Sequence, residues 1–347
     1  MSADKVRVKF IARGPGDFWL HQFPHGEPAW GGCAFVFDRE ATEYDWLVVY
    51  DDVPGRAAGT EGPACEPLAC DPRNTLLVTT EPSSIKTYGG AFTRQFGTVL
   101  TSQEPWALPH PDRIYSQPAL HWFYGVGSRE MRPFDRIAAG PALDKHGELS
   151  MVFSPKRMRH TLHHQRNRFM QALMDELQGM AVFGRGARPL DDKAEALDAY
   201  RYHVAVENHI GLHHWTEKLA DAYLGATLPF YCGCPNLEDY FPPDSFIRID
   251  MHDPHGAVDT IRRAIAEDAY RQRLPAILEA RRRVLYEYNL FAVLAREIGR
   301  RHKPADRIPH DAVIYSRHAL RRRHFAVRVS DAYAKLRVRT AHLLARR

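Results

Sequence analysis

YRYHVAVENHIGLHHWTEKLADAYLGATLPFYCGCPNLEDYFPPDSFIRID, residues 200–250, decides the fold class of this chain. It opens on a strand-like run, YHVAVE, crosses a His-rich loop, HIGLHHW, enters a helical stretch, TEKLADAYLGA, and returns to a second apolar strand, LPFYCG. Strand, helix and strand in so short a span is the rhythm of a doubly wound α/β sheet. The same alternation precedes it: a strand at SMVFS (150–154), a basic helix over 164–180, the strand AVFGRG, and a helix around 191–200. Beyond it, residues 254–302 read as mostly helical, with Pro275 ending one helix because proline removes an N–H and crowds the preceding turn.

The first half carries four short runs rich in β-branched and aromatic residues, bounded by Gly, Pro or Asp. VRVKFIA (6–12), DWLVVYDDV (45–53), NTLLVTTEP (74–82) and FGTVLTSQ (96–103) read as buried parallel strands. Residues 55–74 are dense in Gly, Ala and Pro and read as a loop with one short helix; 107–125 are irregular and aromatic. With 347 residues the chain has room for two domains. The boundaries are placed at 1–145, 146–302 and a basic helical segment, 303–347.

Composition narrows the class. At 44% hydrophobic and 26% charged residues the chain resembles an ordinary globular protein. WLVVY and TLPFYCG fall far short of the roughly 18 apolar residues that a membrane crossing needs. The start, MSADKVRVKFIA, lacks a charged, then apolar, then small-residue leader, so a cytoplasmic protein is expected. Cys33, Cys65, Cys70, Cys232 and Cys234 form neither a disulfide framework nor paired zinc-finger spacings, so reduced thiols and no metal are expected. Charge is uneven: residues 281–347 hold 18 Lys plus Arg against 5 Asp plus Glu, a net of +13 within a chain of +5, which leaves −8 for residues 1–280. Such a segment suits an anionic membrane or nucleic acid, or is a solvated helical face. Tyr333, Leu336, Ala341, Leu344 and Ala345 approximate an apolar helical stripe within it.

Ligands of open α/β sheets sit at the carboxyl ends of strands. Glu207 and Asn208 close the strand YHVAVEN, and Thr216, Glu217 and Lys218 open the next helix. A lysine in a first helical turn opposes the positive end of the helix dipole unless an anion is near, and a phosphate there would also meet free backbone N–H groups.

Taken together, residues 200–250 resemble the donor-binding signature of glycosyltransferase family 10, the α-1,3/1,4-fucosyltransferases. The matching pieces are Glu207-Asn208, Thr216-Glu217-Lys218, Pro229 with Gly233, Asp239-Tyr240-Phe241-Pro242, and Ser245-Phe246-Ile247. The likeness extends upstream through Ser154, Arg166 and Phe169, and through Gly184, Gly186 and Lys193. It implies a GT-B architecture, two Rossmann-like domains facing across a cleft, the first taking a glycan acceptor and the second a nucleotide-sugar donor. It implies inverting transfer of fucose from GDP-fucose, without an essential metal or other cofactor. Another GDP sugar remains open, as does a protein that binds nucleic acid or an anionic surface through its tail, although no nucleic-acid partner is expected.

By residue, the resemblance assigns Arg166 and Lys218 to a diphosphate clamp, with Asn208, Glu217, Ser154 and Gly184 also on the donor. His214 stands where an aromatic residue is frequent and would border the base. Family members place a catalytic glutamate after an N-terminal strand; Glu81 at the end of LLVTT fits that context, though the chain reads Glu81-Pro82-Ser83 where animal members read Glu-Ser-Pro. Glu104 is the rival. Asp51-Asp52 reads as a loop-capping pair. Lacking an anchor, the chain resembles bacterial members, which implies work on the inner face of the membrane, with peripheral contact through the basic segment.

Overall fold

The computed structural model describes residues 5–55, 64–117, 121–153, 162–304 and 311–344. The chain divides into two compact units, Met1–Ala119 with Phe291–Arg347, and Leu120–Leu290. The sequence boundaries at 145 and 302 differ from these because residues 121–145 hold little regular structure whose pattern would reveal their attachment. What ties them is tertiary: the Asp221 carboxylate accepts the backbone N–H groups of Phe123 (2.8 Å) and Tyr124 (2.9 Å).

In the first unit, β1 (Val6–Ile11), β2 (Ala29–Trp30), β3 (Cys33–Val36), β4 (Trp46–Tyr50), β6 (Thr75–Val78), β7 (Thr98–Thr101) and β8 (Arg113–Tyr115) form one sheet, ordered β2-β3-β1-β4-β6-β7-β8. All neighbours run parallel except β2 against β3. The four strands expected from sequence are present and parallel. β5 (Cys65–Pro67) lies outside this sheet, and α1 (Gly90–Thr93) is a single turn before β7. Because β1 is followed by β3 on one side and by β4 on the other, the strand order reverses between β1 and β4.

In the second unit, β9 (Gly147–Phe153), β10 (Ala181–Gly184), β11 (Tyr200–Val206), β12 (Leu228–Cys232) and β13 (Ile247–Arg248) form an all-parallel sheet ordered β10-β9-β11-β12-β13. Here the order reverses between β9 and β11. α2 (Phe134–Ala138), α3 (His163–Glu176), α4 (Glu217–Leu224), α5 (Pro254–Ala266) and α6 (Ala269–Tyr286) complete it. Met151, Phe169, Leu173, Val204, Phe230 and Ile261 meet in its core at 2% exposure or less. Burying each contributes about 1.5–3 kcal/mol.

Two sequence expectations need correction here. In place of a helix around 191–200 there is one 3-10 turn, Lys193–Ala196, capped by Asp192 and Glu195, and β11 already begins at Tyr200. The buried Lys145 ammonium collects the carbonyls of Leu197 (3.0 Å), Asp198 (3.1 Å) and Gly225 (2.7 Å), which diverts those carbonyls from a continuing helix. Pro275 does not end a helix but lies inside α6. The break falls earlier, at Asp268, whose φ of 48° is left-handed. Burial of Ile277, Ala280 and Val284 offsets the hydrogen bond that Pro275 removes.

The chain then rejoins the first unit through α7 (Leu290–Arg301), β14 (Val313–Tyr315), α8 (Arg317–Arg323) and α9 (Phe325–Leu344). β14 pairs antiparallel with β5. Phe291 stacks into an aromatic cluster with Phe10, Trp19, Phe23, Phe35 and Phe37, at ring separations of 4.1–6.1 Å. The basic segment is therefore built into the first unit. Among the described residues no helix is long and apolar enough to cross a membrane.

Candidate functional site

The carboxyl ends of β9 and β11, where the second sheet reverses its order, are the expected ligand position of such a sheet. Four of the candidate residues meet there. Arg166, in the first turns of α3 after β9, is 7% exposed and donates through Nη1 to Asn208 Oδ1, just past β11. Its Nε finds no acceptor among the described residues. Burial pulls the guanidinium below its usual range, opposed by the nearby Glu207 and Glu217 carboxylates. A guanidinium stays charged in proteins, so this is a buried cation with unspent hydrogen-bonding capacity.

Beside it, Thr216 caps α4. Its extended backbone and side-chain oxygen, which accepts from the Lys218 N–H, make an ordinary N-cap. Glu207, fully buried, holds that cap to the strand end: its two oxygens accept the Thr216 N–H (2.8 Å) and Oγ–H (2.7 Å). Gly233 makes room for it, since a Cβ there would lie 2.5 Å from Glu207 Cγ and 2.4 Å from the Tyr231 hydroxyl. Burial raises the Glu207 carboxyl above its ordinary range, and Lys218 only partly opposes this.

Lys218 Nζ lies 2.9 Å from Glu217 Oε1 and 3.5 Å from Glu207 Oε2. Burial would lower the lysine, but Glu217 and Glu207 outweigh it and raise its pKa. Burial would raise Glu217, but Lys218 and Lys193 hold it well below the carboxylate range. The helix-dipole penalty expected of Lys218 is thus met by two carboxylates of the chain itself. Of the two clamp candidates it is Arg166 that lacks an ion partner among the described residues, and the positive end of α4 adds to its field.

Gly184 ends β10 at φ 107°, where a Cβ would fall 2.1 Å from the Phe153 carbonyl at the end of β9, so only glycine fits. His214 is 2% exposed, with its ring edge-on to His209 at 5.2 Å. Ser154 lies outside the described residues. Asp221 went unnoticed in the sequence: besides the two backbone N–H groups it accepts Lys193 Nζ at 2.6 Å, joining the site to residues 123–124. An acid amid the apolar run of α4 was the available signal. Among the described residues no three His, Cys, Asp or Glu side chains converge to hold a metal.

Glu81 belongs to the first unit, exposed beyond the carboxyl end of β6, and its backbone carbonyl accepts Gln103 Nε2 at 2.8 Å. The rival Glu104 follows β7 and accepts the Ser83 hydroxyl at 2.5 Å, while Ser83 Oγ also meets His342 Nε2 at 2.8 Å. Asp51 and Asp52 serve the loops: Asp51 accepts Thr80, Lys86 and Tyr88 side chains, and Asp52 the N–H groups of Val53 and Arg317.

Residues 145–272 match the family model of the glycosyltransferase family 10 (fucosyltransferase) C-terminal domain. A 72-residue stretch is 36% identical to the alpha-(1,3)-fucosyltransferase FucT of Helicobacter pylori, covering 20% of this chain and 15% of that protein. The chain thus aligns with a small part of that relative's length. Among solved structures, an α1,3-fucosyltransferase with GDP-fucose aligns over 90% of this chain and 94% of its own at 16% identity and TM-score 0.46. An α-glucosyltransferase in complex with UDP and a 13-mer DNA aligns over 87% and 100% at 11% identity and TM-score 0.49. The motif that ends β11 and opens α4 lies inside the matched segment, so residues 145–272 are similar to the C-terminal domain of the glycosyltransferase family 10 fucosyltransferases.

Proposed function

We propose that this chain is an inverting glycosyltransferase that moves fucose from GDP-fucose to a hydroxyl of a glycan. The observation that carries the reading is Arg166, a buried guanidinium with an unused Nε at the β9/β11 reversal, within a segment of family 10 sequence. A diphosphate offers the paired oxygens that a guanidinium fork recognises. Asn208 orients that fork, and the amino-terminal end of α4 supplies further positive potential.

In the reaction, Glu81 takes the proton of the acceptor hydroxyl as its oxygen bonds to the anomeric carbon. The bond from that carbon to the diphosphate breaks on the opposite face, and the electron pair leaves with GDP. Arg166 stabilises the charge developing on the leaving oxygen, and Lys218, its charge balanced by Glu217 and Glu207, serves as a hydrogen-bond donor beside it. No step calls for a metal or another cofactor. The same reading places the enzyme in the cytoplasm, with its basic C-terminal segment against an anionic membrane.

A thermal-shift panel of GDP, UDP, CDP and ADP, with and without magnesium, tests the donor. Stabilisation by GDP without a metal requirement is the expected result, and a response to UDP alone would replace the donor. Glu81→Gln should keep the GDP response and lose transfer; undiminished turnover would remove Glu81 from its role.

A further inference from the structure

Asp51, directly after β4, combines two features that capping a loop does not require. At φ 76° its backbone is left-handed, a region that non-glycine residues enter only when the surroundings hold them there, and that gathers at functional sites. Its side chain concentrates three donors on one atom. Oδ1 accepts the Thr80 hydroxyl at 2.8 Å, the Lys86 ammonium at 2.5 Å and the Tyr88 hydroxyl at 2.7 Å. Burial would raise this carboxyl, but Lys86, then Tyr88 and Thr80, outweigh it and hold it below its ordinary range. All three donors therefore meet a charged oxygen, and hydrogen bonds to an ionised acceptor are the strong ones.

The three donors belong to one loop, and Glu81 lies between them. Thr80 immediately precedes Glu81, and Lys86 and Tyr88 close the loop that Glu81 opens. Tyr88, 1% exposed, also accepts the Thr80 N–H at 2.9 Å, so both ends of the loop meet over Asp51. The Asp51 N–H is held in turn by the carbonyl of Val78, the last residue of β6, at 2.9 Å. From the other side, Gln103, buried after β7, donates its amide Nε2 to the carbonyls of Glu81 (2.8 Å) and Lys86 (2.9 Å). The Lys86 N–H turns back to the Pro82 carbonyl at 2.9 Å. Residues 80–88 are thus fastened from both strands that flank β6, from β4 through Asp51 and from β7 through Gln103, with Glu81 as the exposed acid between the fastenings.

We propose that Asp51 is a positioning residue for the transfer reaction: its carboxylate, with the Gln103 amide, locks residues 80–88 so that Glu81 is held at the carboxyl end of β6 to receive the proton of the acceptor hydroxyl. A general base acts only from within hydrogen-bond reach of the proton it takes, and a displacement of about 1 Å lowers the rate by roughly 100-fold. A carboxylate on a surface loop tied only by its ends would sample many positions. The two fastenings remove that freedom, and the left-handed turn of Asp51 is the strained element that the hydrogen bonds keep in place. The inference rests on the role of Glu81 as base.

Release of GDP from GDP-fucose, with water in the place of the acceptor hydroxyl, reads the step on the full chain without a known glycan. Asp51→Gly keeps the left-handed backbone and deletes all three side-chain contacts. It should lower turnover by about 10- to 100-fold, with GDP affinity and the KM for GDP-fucose as in wild type. Asp51→Asn, which tolerates the same backbone and retains an acceptor oxygen, should recover part of the loss. The deciding measurement repeats Asp51→Gly in Glu81→Gln, itself slower by about 10²–10⁴. There it should cost less than about twofold more, because nothing is left to position. An equal loss in both backgrounds, or wild-type turnover in Asp51→Gly, would overturn the proposal. So would hydrogen exchange in which residues 80–88 keep their protection in Asp51→Gly; they should lose it while β4 and β6 retain theirs. Turnover that depends on Glu81 and not on Asp51 ends this proposal alone. No turnover in wild type, or turnover indifferent to Glu81→Gln, ends it together with the reading on which it rests.

Discussion

Each of the two parallel sheets reverses its strand order once, and the two reversal points carry an arginine in opposite conditions. At the β1/β4 reversal of the first unit, a cavity of about 180 Å³ is walled by Phe10, Trp19, Phe37, Gly14 and Gly16, with Arg39 at its edge. That guanidinium is spent: Nε meets Glu66 Oε2 at 2.8 Å, and Nη2 meets the carbonyls of Pro54 (3.2 Å) and Cys65 (3.4 Å). At the β9/β11 reversal of the second unit, Arg166 is deeper, has no carboxylate in contact among the described residues, and leaves Nε unsatisfied. Topology offers both places to a ligand. What separates them is hydrogen-bonding capacity: Arg39 has spent its donors on Glu66 and two carbonyls, whereas the buried Arg166 keeps an Nε without an acceptor among the described residues.

The contrast breaks most sharply at Glu66. This carboxylate, 1% exposed, also receives the buried Lys9 ammonium at 2.7 Å. Glu66→Gln strands two cations, one of them 3% exposed on the central strand β1. Loss of one partner from a buried ion pair costs about 3–5 kcal/mol, or a melting temperature lower by roughly 10 °C. A change of less than about 2 °C in a thermal scan would mean that Arg39 and Lys9 are not held as described, and the contrast with Arg166 would lose one side.

Arg166→Met should behave the other way. Without ligand, removing an uncompensated buried cation leaves stability within about 1 kcal/mol of wild type. With ligand, losing charge-assisted hydrogen bonds of about 1.5–3 kcal/mol weakens GDP affinity by roughly 10- to 150-fold. Titration calorimetry beside the thermal scan reads both. A large loss of apo stability with unaltered GDP affinity would make Arg166 a structural residue like Arg39.

How much of this was readable beforehand follows the range of the interactions. β1, β4, β6 and β7 announced themselves because short β-branched runs between Gly, Pro and Asp are local signals. β3 (Cys33–Val36) and β8 (Arg113–Tyr115) are too short for a pattern and gain their place only by pairing with β1 and β7. The Asp192–Glu195 capping box looks like the start of a long helix, and nothing nearby shows that Lys145, some fifty residues earlier, takes the carbonyls of the next turn. At the site, Asn208, Glu217 and Lys218 stood out as types at strand and helix ends, and Arg166 came from the family resemblance alone. Their condition did not stand out: that Lys218 is already neutralised and Arg166 is not depends on a hydrogen bond spanning 42 positions and on burial. The basic tail was visible as charge. Its seat against Gly89, where φ is 84° and a Cβ would lie 2.2 Å from Asp331, was invisible for the same reason.

A smaller effect sharpens the comparison in the strands beneath the reversals. β1 buries a paired charge, Lys9, whereas β11 buries a neutral titratable ring, His203, at 6% exposure. Ser150 Oγ donates its one hydrogen to the Ala196 carbonyl at 2.5 Å, so the 2.8 Å contact to His203 Nδ1 uses the ring's N–H. A second proton at Nε2 would place a charge inside the sheet. Burial first, and repulsion from Lys193 second, push the ring down to about 3 from its ordinary 6.5. Because the folded value is depressed, the unfolded chain binds more protons between those limits. The neutral ring's contribution is therefore complete above pH 6.5 and is lost as pH falls towards 3, with a slope of up to about 1.4 kcal/mol per pH unit. Between pH 6.5 and 5 that amounts to roughly 1.5–2 kcal/mol. His203→Gln removes the titrating group, so its melting temperature should fall less than that of wild type over this interval, whatever its value at pH 7. Parallel curves for the two proteins would show that His203 takes up its proton without cost, and that the strand beneath the anion site tolerates charge as the strand beneath the aromatic cavity does.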